Sequence, residues 1–316
     1  MYRNHRIGLV IPARNEERLI GATLDAVPDH VDAIFVVDDG STDRTAALVE
    51  ERRAASPRIE LLVHGENRGP GAGIVTGYRR AAEAGCEVVA VVGGDNQMPM
   101  DQLARLLDPI IDGRADYVKG NRFLEGGNAI DDMPKIRFVG NMIISALTKV
   151  SSGYYKIYDF VDGFTAISRR AIEQVDWRRA WPGYGYPMQF LILFNYYGLR
   201  VLDVPRRAIY LKGERQSQIR GVRYALRVAP MLVRGFFWRI FRKYCLRSFH
   251  PLFFFFTFGG LLGVAGFGLG LSLIYREAIG MGVTAPQSVL CALFLIMGCQ
   301  FVLFAMLFDM EEGLGR

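Results

Sequence analysis

The chain has 316 residues, enough for one substantial domain and an appendage. Hydrophobic residues make up 51% and the mean hydropathy is +0.15, which argues against a purely soluble protein. The formal net charge of +6 does not point to a nucleic-acid partner, because it collects in one stretch, Arg206 to Arg247, where twelve cations face the single acid Glu214.

The first two hundred residues alternate strand and helix patterns. "RIGLVIPA" reads as a buried strand, followed by a polar turn and the helix "NEERLIGATLDAVP". "VDAIFVVDDGS" is a second strand ending in two acids, and Ser41 or Thr42 is expected to cap the helix "DRTAALVEERRAA". "IELLVHG" is a third strand and "GAGIVTGYRRAAEAG" a third helix. "CEVVAVVGGD" and "MDQLARLLDPII" repeat the pattern, and "ADYVKGNRF" is a fifth strand. Near-continuous apolar strands alternating with helices predict an α/β fold, a mostly parallel sheet covered on both faces. Ligands of such sheets lie beyond the carboxyl ends of the strands, and each polar cluster of this region falls at such an end.

The C-terminal third has a different composition. Pro251 to Tyr275 contains no charged residue, and after Arg276 and Glu277 none appears until Asp309. Each run exceeds the roughly 20 residues that cross a bilayer core, so two transmembrane helices are expected. The basic stretch before them places the N-terminal domain in the cytoplasm, the Arg276–Gln287 connection outside and the tail inside. "GVRYALRVAPMLVRGFFWRIFRKY" mixes arginines with aromatics, as expected of interfacial helices against anionic headgroups, with Pro230 splitting the segment in two. Glycines at 259, 260, 263, 266, 268 and 270 allow close helix packing, within the hairpin or between protomers of a homo-oligomer. The four cysteines have no paired metal spacing and imply neither a disulfide framework nor zinc.

Taken singly, the strand-end clusters are weak signals. "NRGPGAG" is neither a Rossmann fingerprint nor a P-loop, and "DDGS" alone is more often a turn than a site. Together, "IPARNEE", "VVDDGSTDRT", "ENRGPGAG", "GGDNQMP", "VKGNRF" and "DFVDGFTAISRRA" form an ordered set. That set resembles glycosyltransferase family 2, the inverting GT-A enzymes, and within it the polyprenyl-phosphate sugar synthases typified by dolichol-phosphate mannose synthase. The resemblance covers roughly residues 6–220. It implies a GT-A domain over 1–218, amphipathic juxtamembrane helices over 219–248 and a transmembrane hairpin over 249–316.

The resemblance also implies roles for particular residues. Pro12, Arg14, Asn15, Glu16, Asp38 and Asp39 would hold the nucleotide, with Asn67 and Gly69 along its edge. The family's metal motif, Asp-x-Asp-x-Gln, would place Asp95 and Gln97 on Mg²⁺ or Mn²⁺, with Gly93 where the first Asp is expected. Arg122 and Arg137 match positions that grip the acceptor's phosphate, a role suited to guanidinium forks. Asp159 and Asp162 would orient the acceptor or a sugar hydroxyl, and Lys212 and Arg215 would close over the diphosphate. The implied reaction transfers a sugar from a nucleotide sugar, GDP-mannose first and UDP-glucose next, to a polyprenyl phosphate at a prokaryotic inner membrane. The competing readings are a non-catalytic scaffold that has lost metal binding at Gly93, and a GT-A transferase with another acceptor. A processive polysaccharide synthase does not fit, because no Gln-x-x-Arg-Trp motif is present.

Overall fold

The structure, a computed structural model, describes residues 1–124, 135–209 and 221–314. In chain order it contains β1 (Ile7–Ala13), α1 (Ile20–Asp25), β2 (Ala33–Asp38), α2 (Thr45–Ala55), β3 (Ile59–Val63), α3 (Pro70–Glu83), β4 (Val88–Val91) and α4 (Leu103–Ile111). Then follow β5 (Tyr117–Asn121), α5 (Lys135–Ser152), β6 (Thr165–Ser168), α6 (Arg169–Gln174), α7 (Tyr186–Tyr197), β7 (Val201–Pro205) and α8 (Gly221–Arg239). A π-helical turn, Ile240–Arg247, leads to α9 (Pro251–Ala278) and α10 (Ala285–Leu314). The chain divides into two compact units, Met1–Gly235 and Phe236–Arg316.

The first unit is built on one seven-stranded sheet in the order β3-β2-β1-β4-β6-β5-β7. All pairings are parallel except those of β6, which runs antiparallel to both β4 and β5. Alternation along β1 explains the layering. Ile7, Leu9 and Ile11 join a core with Ile34 and Val36 of β2, Val49 of α2 and Leu103, Leu106 and Leu107 of α4. On the opposite face α3 approaches so closely that a Cβ at Gly77 would stand 2.3 Å from Val10 Cγ1. A larger residue there would push the helix off the sheet. Aromatic pairs fill the same side: Tyr78 with Trp177 at 5.4 Å, Trp177 with Phe190 at 5.1 Å and Tyr117 with Phe194 at 4.7 Å. Between β1 and β4 the strand order reverses direction, and such a switch point opens a crevice at the carboxyl edge.

Three local expectations are corrected. The helix expected from Asn15 begins only at Ile20. Asn15 is in the left-handed region (φ 56°), and the amides of Asn15, Glu16 and Glu17 donate to Ser41 Oγ, Thr45 Oγ1 and Asp43 Oδ2 instead of starting a helix. Neither Ser41 nor Thr42 caps α2. Asp43 Oδ1 takes that role, accepting from the amide (3.0 Å) and hydroxyl (2.6 Å) of Thr45. Finally, α8 runs through Pro230 without a break. The carbonyl that Pro230 leaves without a helical donor belongs to Leu226, which is 71% exposed and open to other donors. Burial of Val228, Met231 and Leu232 offsets the cost.

In the second unit α9 and α10 pack as a hairpin. A Cβ at Gly298 would stand 2.7 Å from Gly263 N, and one at Gly266 3.0 Å from Leu295, so glycines of both helices set this contact. Each helix is long and apolar enough to cross a membrane. Arg239 makes a bidentate pair with Asp309 (2.6 and 2.8 Å), and the Tyr244 hydroxyl donates to the same carboxylate. The first charge after α10's apolar run is therefore buried against a partner from the basic stretch.

Candidate active site

The carboxyl edge of the first unit gathers most of the residues singled out above. Pro12 is the last-but-one residue of β1, and exposed Arg14 follows the strand. Asn15 Oδ1 accepts from Thr42 N at 2.8 Å, which ties the β1 loop to the β2 loop. At the end of β2, Asp38 and Asp39 are both 3% exposed. Asp38 accepts from the Ser41 hydroxyl. Asp39 accepts from Arg68 N (2.8 Å) and His64 Nδ1 (2.8 Å) at one oxygen and Gly69 N (2.7 Å) at the other. The carboxylate can only accept, so His64 carries its proton on Nδ1. Asp39 is thus the clamp of the Asn67–Gly69 loop, with little acceptor capacity left over.

The amides that follow this loop at the start of α3 are not open to a phosphate. Gly71 N and Ala72 N donate to Pro182 O at 2.7 and 3.2 Å, so the helix start is already capped by backbone. Gly69 sits at φ 96°, and a Cβ there would meet the same carbonyl at 2.5 Å. Asp39→Ala is expected to lower unfolding free energy by about 3 kcal/mol, since it strands buried donors. Thermal unfolding of the detergent-solubilised protein measures this.

The end of β4 carries the departure from the family motif. Asp95 is half-buried, its Oδ1 accepts weakly from Gln97 N (3.3 Å), and among the described residues no cation forms an ion pair with it. Burial pushes its carboxyl above the ordinary value, against the Gln97 amide and the nearby Arg206 charge. A Cβ at Gly93 would stand 2.9 Å from Asp95 Oδ1, so the carboxylate leans into space that a side chain at 93 would claim. Among the described residues no group of three or more His, Cys, Asp or Glu forms a metal cage. One unpaired carboxylate and one amide oxygen nonetheless fit a hard divalent cation that takes its other ligands from phosphate and water.

Asp159 and Asp162 depart from the expectation that they face the acceptor. Both carboxylates are fully buried behind arginines. Arg122 holds Asp159 with a fork, Nε to Oδ2 at 2.7 Å and Nη2 to Oδ1 at 3.0 Å, and reaches Asp162 at 3.3 Å. Burial pushes the Asp159 carboxyl up, but the Arg122 charge and hydrogen bonds prevail and leave it below the ordinary value. Asp162 accepts from Phe164 N (2.7 Å) and Arg206 Nε (2.6 Å), while Lys119 Nζ donates to its carbonyl at 2.7 Å. These acids therefore aim the guanidinium groups. A pocket of about 140 Å³ brings together Asp95, Gln97, Arg122, Asp162 and Arg206. It suits a single phosphate group, being smaller than the roughly 300–1,000 Å³ of clefts that take whole ligands. The side chain of Arg137 and all of Lys212 and Arg215 lie outside the described residues.

Sequence reasoning missed Arg206 and Asp203. The signal for both was "VLDVPRRA", a strand with an acid inside it and cations at its end. Asp203 Oδ2 accepts from Asn121 Nδ2 (2.7 Å) and Tyr158 N (2.9 Å), while its buried Oδ1 has no partner. Burial pushes its pKa up to about 6. Folding therefore favours protonated Asp203: its contribution is complete below about pH 4 and is lost as pH rises through 6. Asp203→Asn keeps the acceptor and is expected to stabilise the protein by about 2 kcal/mol above pH 6, with no gain below pH 4. Unfolding curves at pH 4 and 7.5 check the sign.

Residues 9–176 match the sequence pattern of glycosyl transferase family 2. The UDP-N-acetylglucosamine–dolichyl-phosphate N-acetylglucosaminyltransferase of Methanococcus voltae is 30% identical over 217 residues, covering 65% of this chain and 86% of that protein. The undecaprenyl-phosphate mannosyltransferase of Micrococcus luteus is 30% identical over 212 residues, 63% of this chain and 82% of its own length. Among solved structures, glucosyl-3-phosphoglycerate synthase from Mycobacterium tuberculosis, crystallised with Mn²⁺, UDP and glucosyl-3-phosphoglycerate, superposes with a TM-score of 0.52 at 21% identity. That match covers 75% of this chain and 80% of the synthase, and it shows a shared GT-A fold.

Proposed function

The chain belongs to glycosyl transferase family 2, and on that premise we propose that it transfers a sugar from a nucleotide sugar to a polyprenyl phosphate. The observation that carries this reading is the pocket joining Asp95 and Gln97 to the guanidinium groups of Arg122 and Arg206. Relatives that act on dolichyl and undecaprenyl phosphate support the acceptor class. They differ in the sugar moved, so GDP-mannose, UDP-glucose and UDP-N-acetylglucosamine are the donors to compare, in that order.

The proposed chemistry needs little from the protein in bond making. A phosphate monoester has a second pKa of about 6, so the acceptor is largely dianionic near neutrality and attacks without a strong base. Its oxygen bonds to the anomeric carbon as the bond to the diphosphate breaks, and the nucleoside diphosphate leaves with inversion at that carbon. When bound at Asp95 and Gln97, a divalent cation supplies charge compensation for the leaving group. Arg122, aimed by Asp159, orients a phosphate oxygen. Arg14, Asn15, Glu16, Asp38 and Asp39 shape the nucleotide end of the crevice, with Pro12, Asn67 and Gly69 along its walls. For Arg137, Lys212 and Arg215 the proposed contacts to acceptor and diphosphate rest on the family resemblance alone.

We further propose that α9 and α10 cross the membrane and that the basic stretch before them keeps the catalytic unit on the cytoplasmic side, against anionic headgroups. The test offers the purified protein polyprenyl phosphate, Mg²⁺ or Mn²⁺, and each donor separately, with lipid products read by mass spectrometry. A polyprenyl-phosphate sugar from one donor is the expected result. Sugar on any other acceptor, or product unaffected by EDTA, counts against this reading.

A further inference from the structure

Arg206 is a buried guanidinium built into the wall of the pocket, and the scheme above gives it no task. It follows β7, where its backbone N–H donates to Asn121 O at 3.1 Å, one residue before Arg122. Its side chain is only 7% exposed. Room for it comes from Gly120, where a Cβ would stand 3.0 Å from Arg206 Cδ. Nε donates to Asp162 at 2.6 Å, and Nη1 donates to Arg207 O at 3.1 Å and reaches Gln97 O at 3.5 Å. Among the described residues Nη2 has no protein partner, although the residue lines the pocket that also holds Arg122, Asp95 and Gln97.

A guanidinium fixed on two sides, with its third corner beside an opening of about 140 Å³, is arranged to receive an oxyanion. Within the reaction proposed above, on which this step rests, the oxyanions at hand are phosphates. We infer that Arg206 binds a substrate phosphate oxygen through Nη2 and that Asp162 is the positioning residue that holds it there. The phosphate belongs either to the donor's diphosphate or to the acceptor.

The experiment uses the full chain in nanodiscs with Mg²⁺. Calorimetric titrations with inorganic pyrophosphate and with a short-chain prenyl monophosphate stand for the two sources. Two variants are compared with the parent: Arg206→Lys, which keeps the charge but loses the fork, and the charge-balanced pair Arg206→Met with Asp162→Asn. The paired variant is expected to lose roughly tenfold to a hundredfold in affinity for one probe, with the other probe unchanged, and Arg206→Lys to lose less. The probe that weakens identifies the phosphate. A purely structural arginine would lower the unfolding temperature and move both titrations or neither. Unchanged binding of both probes by the folded variants overturns the inference, as does a parent chain that binds neither. Because these titrations involve no sugar transfer, an absence of transfer activity would sink the proposed reaction without deciding this result.

Discussion

Asp95→Asn is expected to lower turnover by about a hundredfold to a thousandfold while leaving the unfolding temperature unchanged or slightly raised. The two halves of this expectation have one cause. Burial already penalises the charge on Asp95, and among the described residues no ion pair compensates it, so the charge stabilises nothing in the folded chain itself. Asn preserves the shape and can still accept from Gln97 N. What it removes is a negative oxygen in the pocket that no cation among the described residues pairs, and with it the hold on a divalent cation. Isothermal titration with Mn²⁺ should therefore show weaker metal binding in a protein that unfolds normally. A scaffold that had lost metal binding through Gly93 would show no difference in either measurement. The raised carboxyl also sets a sign: on the acid side a proton should displace the cation at higher pH than an ordinary carboxylate would allow.

Arg122→Met is expected to act in the opposite way, through stability first. It leaves Asp159, with no exposed side-chain surface, to the charge of Lys119 across the buried cluster. Breaking one side of such a pair typically costs about 3–5 kcal/mol, a large share of what holds a domain folded. Arg122→Lys should recover much of that stability, because the charge returns, but not activity, because the fork to Asp159 and the phosphate geometry do not. The double variant Arg122→Met with Asp159→Asn should also refold without recovering turnover. Thermal unfolding and transfer assays on the set separate charge balance from substrate contact. Full activity in a folded double variant would remove Arg122 from the site.

Strands β1, β2 and β4 were legible in the sequence because they are buried on both faces and so read as unbroken apolar runs. β6 was not: "TAIS" is a four-residue strand with no period of its own, and only its neighbours β4 and β5 define it. The late start of α1 was hidden for a related reason. The helix pattern of residues 15–19 is real, but Ser41, Asp43 and Thr45 offer their amides nearer partners. Long-range partners likewise decided the site. The order of strand-end motifs located Asp95, Gln97, Arg122 and Asp162, which one pocket brings together. No local pattern showed that Pro182 would cap α3, or that Asp159 and Asp162 would turn inward to arginines. Arg206 was concealed by its surroundings, one cation among twelve in a stretch whose charge speaks for the membrane.

The acceptor is the centre of the proposed function, and nucleoside diphosphate release tests it most directly. The purified chain in nanodiscs would be given the donor panel with polyprenyl phosphate, with the corresponding polyprenol, or with neither. The proposed reaction predicts release from one donor only when the phosphorylated lipid is present, in one-to-one ratio with the lipid-linked sugar, and its loss in Asp95→Asn. Release that proceeds equally with the unphosphorylated polyprenol, or no release with polyprenyl phosphate from a chain that binds the nucleotide, would contradict it.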